Sequence, residues 1–374
     1  MIKDRAQKSL ALALAVSKGW LPQLEVDIEP SNRLQRTRAL LTDVDVLATT
    51  QSPLGGLQRC VFDCKSSAKE SAISRAFWVR GVMDRTQAHH GFVVLSDQAK
   101  IVLDHRMSAI DISVTLLHDS EINDLASSWG GSTQLWAHVG NIEIWEKFLR
   151  CGADNRALDG YRDFALSSFW TTRDPGERCR KLISKLRAVG TELDPTKPAH
   201  AALFGDATCL LLLTLSELAN KLMLLLLRPK DREEFSSAML ALLYGGHENL
   251  QTVIKLRQLA TKVGDDDSAT VFPELNRFEQ LVREVVQAPL QALPAAILSR
   301  ELAFDMIANN LTSSGFQSQI VASNPYAPKF VLIAAEFLRR AARLPSDFSQ
   351  ALGERALELL SSTSPPELEA VSRR

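Results

Sequence analysis

No Cys-x-x-Cys pair occurs in the 374 residues, and the five cysteines, Cys60, Cys64, Cys151, Cys179 and Cys209, are odd in number and scattered. That pattern argues against a cysteine-built zinc site and against a disulfide framework, and it leads us to expect a reduced, cytoplasmic protein. Glycine-rich phosphate loops, a Gly-x-Ser-x-Gly elbow and His-Glu-x-x-His are also missing. Their absence argues against an NTPase, an α/β-hydrolase or a zincin. A strong charge of either sign is lacking too. At a net charge of −1 there is no global basic field, so any nucleic-acid contact must come from local patches. No fixed-period repeat is evident. The opening "MIKDRAQKSLALALAVSKGW" lacks the long apolar core of a secretory signal and reads as an amphipathic helix packed on a sheet. The longest apolar stretch, Cys209 to Arg228, is interrupted by Glu217, Asn220 and Lys221. Ionised groups there would be costly in lipid, so a buried helix is expected and no membrane partner.

What is present divides the chain in two. The first third alternates helix and strand patterns. A helix near Arg5 to Ser17 leads to "LPQLEVDIEP", where Leu24, Val26 and Ile28 alternate with Glu25, Asp27 and Glu29. "LLTDVDVLAT" and "LQRCVFDCKS" read as a second and third strand joined through "SPLGG", completing an antiparallel meander. A helix follows from about Ala68 to Ala88, with Ile73, Phe77, Val79 and Met83 on its apolar side. Then come the apolar strand "HGFVVLSD", a helix in "QAKIVLDHRMSAID" and a strand in "ISVTLLHD". The expected order is α-β-β-β-α-β-α-β with a mixed sheet, because strand–helix–strand units make parallel crossovers.

After the turn-rich "SSWGGSTQ" the pattern is almost wholly helical, with breakers such as "RDPGE", "RPKD" and "YGGHEN" serving as caps. The expected organisation is an α/β domain over residues 1–130, a linker over 131–140 and an all-α domain over 141–374. The tail from about residue 363 is expected to be frayed.

Chemistry concentrates on the second and third strands. Side chains alternate along a strand, so Asp43 and Asp45 share one face while Val44 and Val46 take the other. Asp63 and Lys65 likewise share a face, opposite Phe62 and Cys64. Pairing of the two strands would gather carboxylates and an amine, and like charges that close need a cation between them. A hard divalent ion with oxygen ligands is one solution, and Mg2+ suits carboxylates that share it with a phosphate.

A strand reading Asp45-Val46-Leu47-Ala48 followed by a strand ending Asp63-Cys64-Lys65 resembles the PD-(D/E)XK, restriction-endonuclease-like nuclease superfamily. The closest subset is the Mrr-type restriction enzymes and archaeal Holliday-junction resolvases, and the resemblance covers about residues 1–128. It implies a restriction-endonuclease-like fold. It also implies Mg2+-dependent hydrolysis of DNA phosphodiesters, with Mn2+ able to substitute. Asp45, Asp63 and the Cys64 carbonyl would hold the metal and Lys65 would be the catalytic lysine. Asp43, Glu25 and Arg80 are accessory candidates. The first helix carries Asp4, Gln7 and Lys8 where many members carry a metal-binding Glu.

Arg33, Arg36 and Arg38, in the connection before the second strand, are candidates for the DNA backbone. The helix around Arg178, Lys181 and Lys185 reads as a solvated basic face opposite Leu182, Ile183 and Leu186. The helical half is expected to bind a protein partner, sense a signal or self-associate. A setting in bacterial anti-phage defence or restriction follows by analogy alone. The alternative expectation keeps the fold and drops the chemistry, leaving a DNA-binding or assembly subunit of a larger complex.

Overall fold

The structure is a computed structural model that describes residues 2–30, 39–52, 55–133, 136–262, 272–308 and 315–363. Arg33, Arg36, Arg38, part of the "SPLGG" turn and the tail beyond residue 363 lie outside the described residues.

The first part is a five-stranded mixed sheet with helices. Its elements are α1 (Arg5–Ser17), β1 (Leu21–Ile28), β2 (Thr42–Gln51), β3 (Leu57–Lys65), α2 (Ala72–Thr86), β4 (His90–Leu95), α3 (Leu103–Asp111), β5 (Val114–His118) and α4 (Ile122–Ser128). The strands lie in sequence order, β1-β2-β3-β4-β5. β1–β2 and β2–β3 are antiparallel, whereas β3–β4 and β4–β5 are parallel. β3 is therefore the strand at which the pairing changes sense. The crossover helix α2 runs back against β3 and β4, which sets its N-terminus beside the C-terminal ends of those strands. β4 is buried over Gly91–Leu95, as a strand covered on both faces must be, and Phe92 stacks on Phe62 with ring centroids 4.7 Å apart.

α2 departs from expectation at one position. Ala72, Ala76, Val79, Met83 and Thr86 recur at helical spacing and form the buried stripe, so Phe77 falls outside it and is 61% exposed.

The rest of the described chain is helical. The longer helices are α5 (Ile142–Arg150), α6 (Pro175–Ala188), α7 (Pro198–Leu225), α8 (Arg232–Tyr244), α9 (His247–Lys262), α10 (Leu275–Gln287), α11 (Ala292–Asp305), α12 (Gly315–Ser323), α13 (Ala327–Ala342) and α14 (Ser346–Thr363). The breakers act locally as capping chemistry requires. Asn141, Asp174 and Asp231 each accept a backbone N–H from the first turn of α5, α6 and α8. α7 is the one helix among the described residues long and apolar enough to cross a membrane. Its most apolar window is 94% buried inside the protein, and it packs most extensively on α11. The buried helix expected to run to Arg228 ends at Leu225 instead, and Leu224, Leu225 and, beyond the helix, Leu227 are exposed. Arg178, expected on the solvated side of α6, is fully buried instead. It falls on the same stripe as Leu182 and Leu186, one and two turns on.

The two halves share one hydrophobic cluster. The stretch expected to be a linker over 131–140 runs partly through packed structure. His138 and Val139 are buried, and Glu301 of α11 accepts both of their backbone N–H groups, at 2.8 and 2.9 Å. Arg300 Nη1 donates to the Pro22 carbonyl of β1 at 2.8 Å, which ties the same helix to the sheet.

Candidate functional site

Three carboxylates line up across the sheet. Leu24 pairs with Val46 and Val26 with Val44, which sets Glu25 opposite Asp45. Val46 pairs with Phe62, and one step further along the antiparallel strands Asp45 meets Asp63. Opposed residues of antiparallel strands share a face, so Glu25, Asp45 and Asp63 form one row beneath α1. Glu25 has φ 55, a left-handed conformation that costs a side-chain-bearing residue about 1–3 kcal/mol. Like charges opposed on neighbouring strands repel, so such a row persists only with cations between its members.

The protein supplies those cations from three elements. Lys8 of α1 is 2% exposed, and its Nζ lies 2.5 Å from Glu25 Oε1 and 2.8 Å from Asp45 Oδ1. Lys65, at the end of β3, lies 3.0 Å from Asp45 Oδ2 and 3.1 Å from Asp63 Oδ1. Arg75 of α2 closes the row: its Nε donates to Asp63 Oδ2 at 2.6 Å, its second nitrogen contacts Asp63 Oδ1, and it lies 4.2 Å from the Trp78 ring. Three carboxylates against three cations make the row formally neutral.

The electrostatics follow. Burial opposes the charge on Lys65, but Asp63 and Asp45 outweigh it and raise its pKa above the usual lysine range. Lys8 is raised for the same reason, with Asp45 and then Glu25 overcoming burial. Glu25 is raised by burial against the pull of Lys8, and Asp45 and Asp43 push it further. Cys64, on the opposite face, is pushed well up by burial and by the two aspartates, so it is no thiolate ligand.

Lys65 Nζ has a third oxygen neighbour, the Cys64 carbonyl at 3.0 Å. Two carboxylate oxygens and one carbonyl oxygen thus converge on one ammonium, which stands where a point cation would sit. Lys8 holds the outer oxygen of Asp45, Arg75 holds both oxygens of Asp63, and the Cys64 N–H donates to Asp45 Oδ2 at 2.7 Å. The protein's own groups therefore fix the orientation of both carboxylates. The donor set is all hard oxygen, which fits Mg2+ or Mn2+. Among the described residues no three His, Cys, Asp or Glu side chains gather as a metal cluster; the convergence needs the backbone carbonyl.

Other expected residues fall differently. Glu25 lies in the row. Asp43 sits exposed opposite Asp27 at the start of β2 and lines, with Lys8 and Glu25, an open groove of about 450 Å³. Asp45, Asp63 and Lys65 are outside that groove's lining, which also includes Lys3, Glu146 and Arg150. Arg80 does not reach the row; it pairs with Asp84, one turn on, at 2.8 Å. α2 has carried it away from the strand ends by then, and Arg75, in the first turn, contacts Asp63 instead. The sequence offered Lys8 no role, and Arg75 only that of a basic residue near a DNA backbone. The signal for Lys8 was a lysine on the apolar stripe of α1, in register with Leu12 and Ala15. Asp4 adds a tie between α1 and β3 by accepting from Ser66 N at 2.8 Å and Ser66 Oγ at 2.5 Å.

Comparison with protein-family models, with curated proteins and with solved structures returns no match for this chain.

Proposed function

We propose that the carboxylate row is the centre of a metal-dependent phosphodiesterase of PD-(D/E)XK type, a nuclease with DNA as its substrate. The observation that carries this reading is the convergence of Asp45 Oδ2, Asp63 Oδ1 and the Cys64 carbonyl on Lys65 Nζ. These three oxygens would hold Mg2+, or Mn2+ in its place. A divalent ion there supplies Lewis-acid polarisation of the phosphate and a lowered pKa for water. Lys65 is 22% exposed and Arg75 21%, but Arg75 grips both oxygens of Asp63 with two nitrogens, so Lys65 is the cation that would swing aside. Once off the aspartates, its ammonium is placed to orient the attacking water or to stabilise negative charge on the phosphate. Lys8 and Arg75 keep Asp45 and Asp63 in place throughout.

Charge counting sharpens the reading. Withdrawal of Lys65 leaves the row at −1, a divalent ion brings it to +1, and a phosphodiester then meets both that charge and the displaced Lys65 ammonium. Metal and nucleic acid are then expected to bind together, each weakly alone.

The test is incubation of the full chain with supercoiled plasmid and Mg2+ or Mn2+. Wild type should nick or linearise it, and Lys65→Ala and Asp63→Asn should not. Cutting by all three proteins alike, or no cutting of any DNA or RNA form, would sink the proposal. A second reading is favoured by Lys8: a buried ammonium takes the helix position where many members of the resembled family carry a metal-binding acid. On that reading the row is a static ion-pair ladder in a DNA-binding or assembly subunit, and Mn2+ leaves wild-type calorimetric traces flat even with DNA present.

A further inference from the structure

At the other end of β3, away from the carboxylates, a cavity of about 340 Å³ opens between the sheet and α7. Its wall includes Arg59 of β3, His89 before β4, and Glu217, Asn220 and Lys221 of α7. Arg59 is 6% exposed, and its Nη1 donates to the Thr86 and Trp170 carbonyls at 3.1 and 2.8 Å. Those bonds fix the guanidinium without neutralising it. Glu217 is the carboxylate between the two arginines, and it is drawn away from Arg59. Its Oε1 lies 2.5 Å from Nη2 of the fully buried Arg178 and 4.0 Å from Nη2 of Arg59. Two buried guanidiniums therefore share one carboxylate beside a polar cavity. An unbalanced buried charge of this kind costs several kcal/mol unless an anion arrives. Burial, then the charge of Arg178, push the Arg59 pKa down to about 10 against the pull of Glu217.

Asn220, 8% exposed, completes the wall; its oxygen, an acceptor without a hydrogen-bond partner, lies against Gly55. At the mouth, His89 Nδ1 accepts the Arg59 backbone N–H at 3.4 Å, so the neutral ring carries its proton on Nε2. Lys221 is exposed beside it. The donors are a guanidinium, an ammonium and an imidazole N–H, set against the single carboxylate of Glu217, in a space the size of a small-ligand pocket.

We infer that this junction cavity binds a small phosphate-bearing anion, a phosphate monoester or inorganic phosphate, and clamps the sheet to the helical half. The site is independent of the carboxylate row, and its test does not need nuclease activity. The experiment is thermal unfolding of the full chain in inorganic phosphate, in a nucleoside monophosphate and in chloride at matched ionic strength. Phosphate should raise the midpoint with concentration beyond chloride. A nucleoside monophosphate acting at lower concentration would identify an ester as the ligand, and equal potency would identify inorganic phosphate. Lys221→Glu and His89→Ala, both at the exposed mouth, should need at least about tenfold more phosphate for the same shift, each measured from its own ligand-free midpoint. Equal shifts in chloride, or an unchanged phosphate response in both variants, would overturn the inference.

Discussion

Buried charge is used in two ways in this molecule. In the helical half Arg300 and Asp206 face each other one to one, both inaccessible, with Arg300 Nε donating to Asp206 Oδ1 at 2.7 Å. Arg300 is fully buried and Asp206 is 3% exposed, so neither is open to exchange with solvent ions. In the carboxylate row each aspartate is shared between two cations, and Lys65 remains partly accessible. The first arrangement is a fastener. The second holds a partly accessible ammonium between two carboxylates and a carbonyl. Burial alone does not separate structure from site; the distinction lies in whether ligand atoms converge and whether one partner can leave.

The contrast can be broken most forcefully at the fastener. Arg300→Met strands Asp206 in the core and should cost ~3–5 kcal/mol in denaturant unfolding; a loss below 1 kcal/mol, on the order of a surface pair, would erase the comparison. Lys8→Met comes next. It leaves Glu25 and Asp45 opposed without their shared cation and should cost about 2–4 kcal/mol. Part of that loss should return on adding Mn2+, because the row then carries a net negative charge. Lys65→Ala should cost roughly 1 kcal/mol, since its ammonium can be replaced by water, while plasmid cleavage falls by at least about 100-fold. A stability loss as large as that of Lys8→Met would make Lys65 a fastener too.

A smaller effect is expected from pH. Burial opposes the charge on His138, but the hydrogen bond and charge of Glu301, helped by Asp305, raise its pKa above 6.5. A raised histidine contributes stability that is complete below the ordinary value and is lost as pH rises through the folded one. The unfolding midpoint should therefore fall as pH climbs above 6.5, and His138→Gln should flatten that slope. Least of all, Phe77→Ser should change stability by no more than about 0.5 kcal/mol, because Phe77 lies outside the buried stripe.

Much of the N-terminal architecture was legible. Alternation in Leu24, Val26 and Ile28, the apolar run of β4 and the caps Asn141, Asp174 and Asp231 are local signals, and local signals survive folding. Period-two alternation also put Asp63 and Lys65 on one face and Asp43 and Asp45 on another. It did not say that those faces coincide, which depends on the register Val46↔Phe62. Arg80 and Arg75 illustrate the same limit: five positions apart on one helix, they were told apart only by where α2 starts relative to the end of β3. Arg178 shows it again, since a basic residue among helical charges reads as solvated until Glu217 from another helix meets it.

Taken by itself, the sequence determined which residues alternate, where helices start, that the halves differ in class, and that carboxylates and a lysine sit on successive strands. Those properties follow from backbone periodicity and capping, which act over a few residues. Tertiary structure decided that Glu25, Asp45 and Asp63 form one row, that Lys8 and Arg75 brace it, and that three oxygens meet at Lys65. Such convergence depends on strand register and helix placement. Both are set by burying apolar faces between segments far apart in the chain, and no local pattern encodes the outcome.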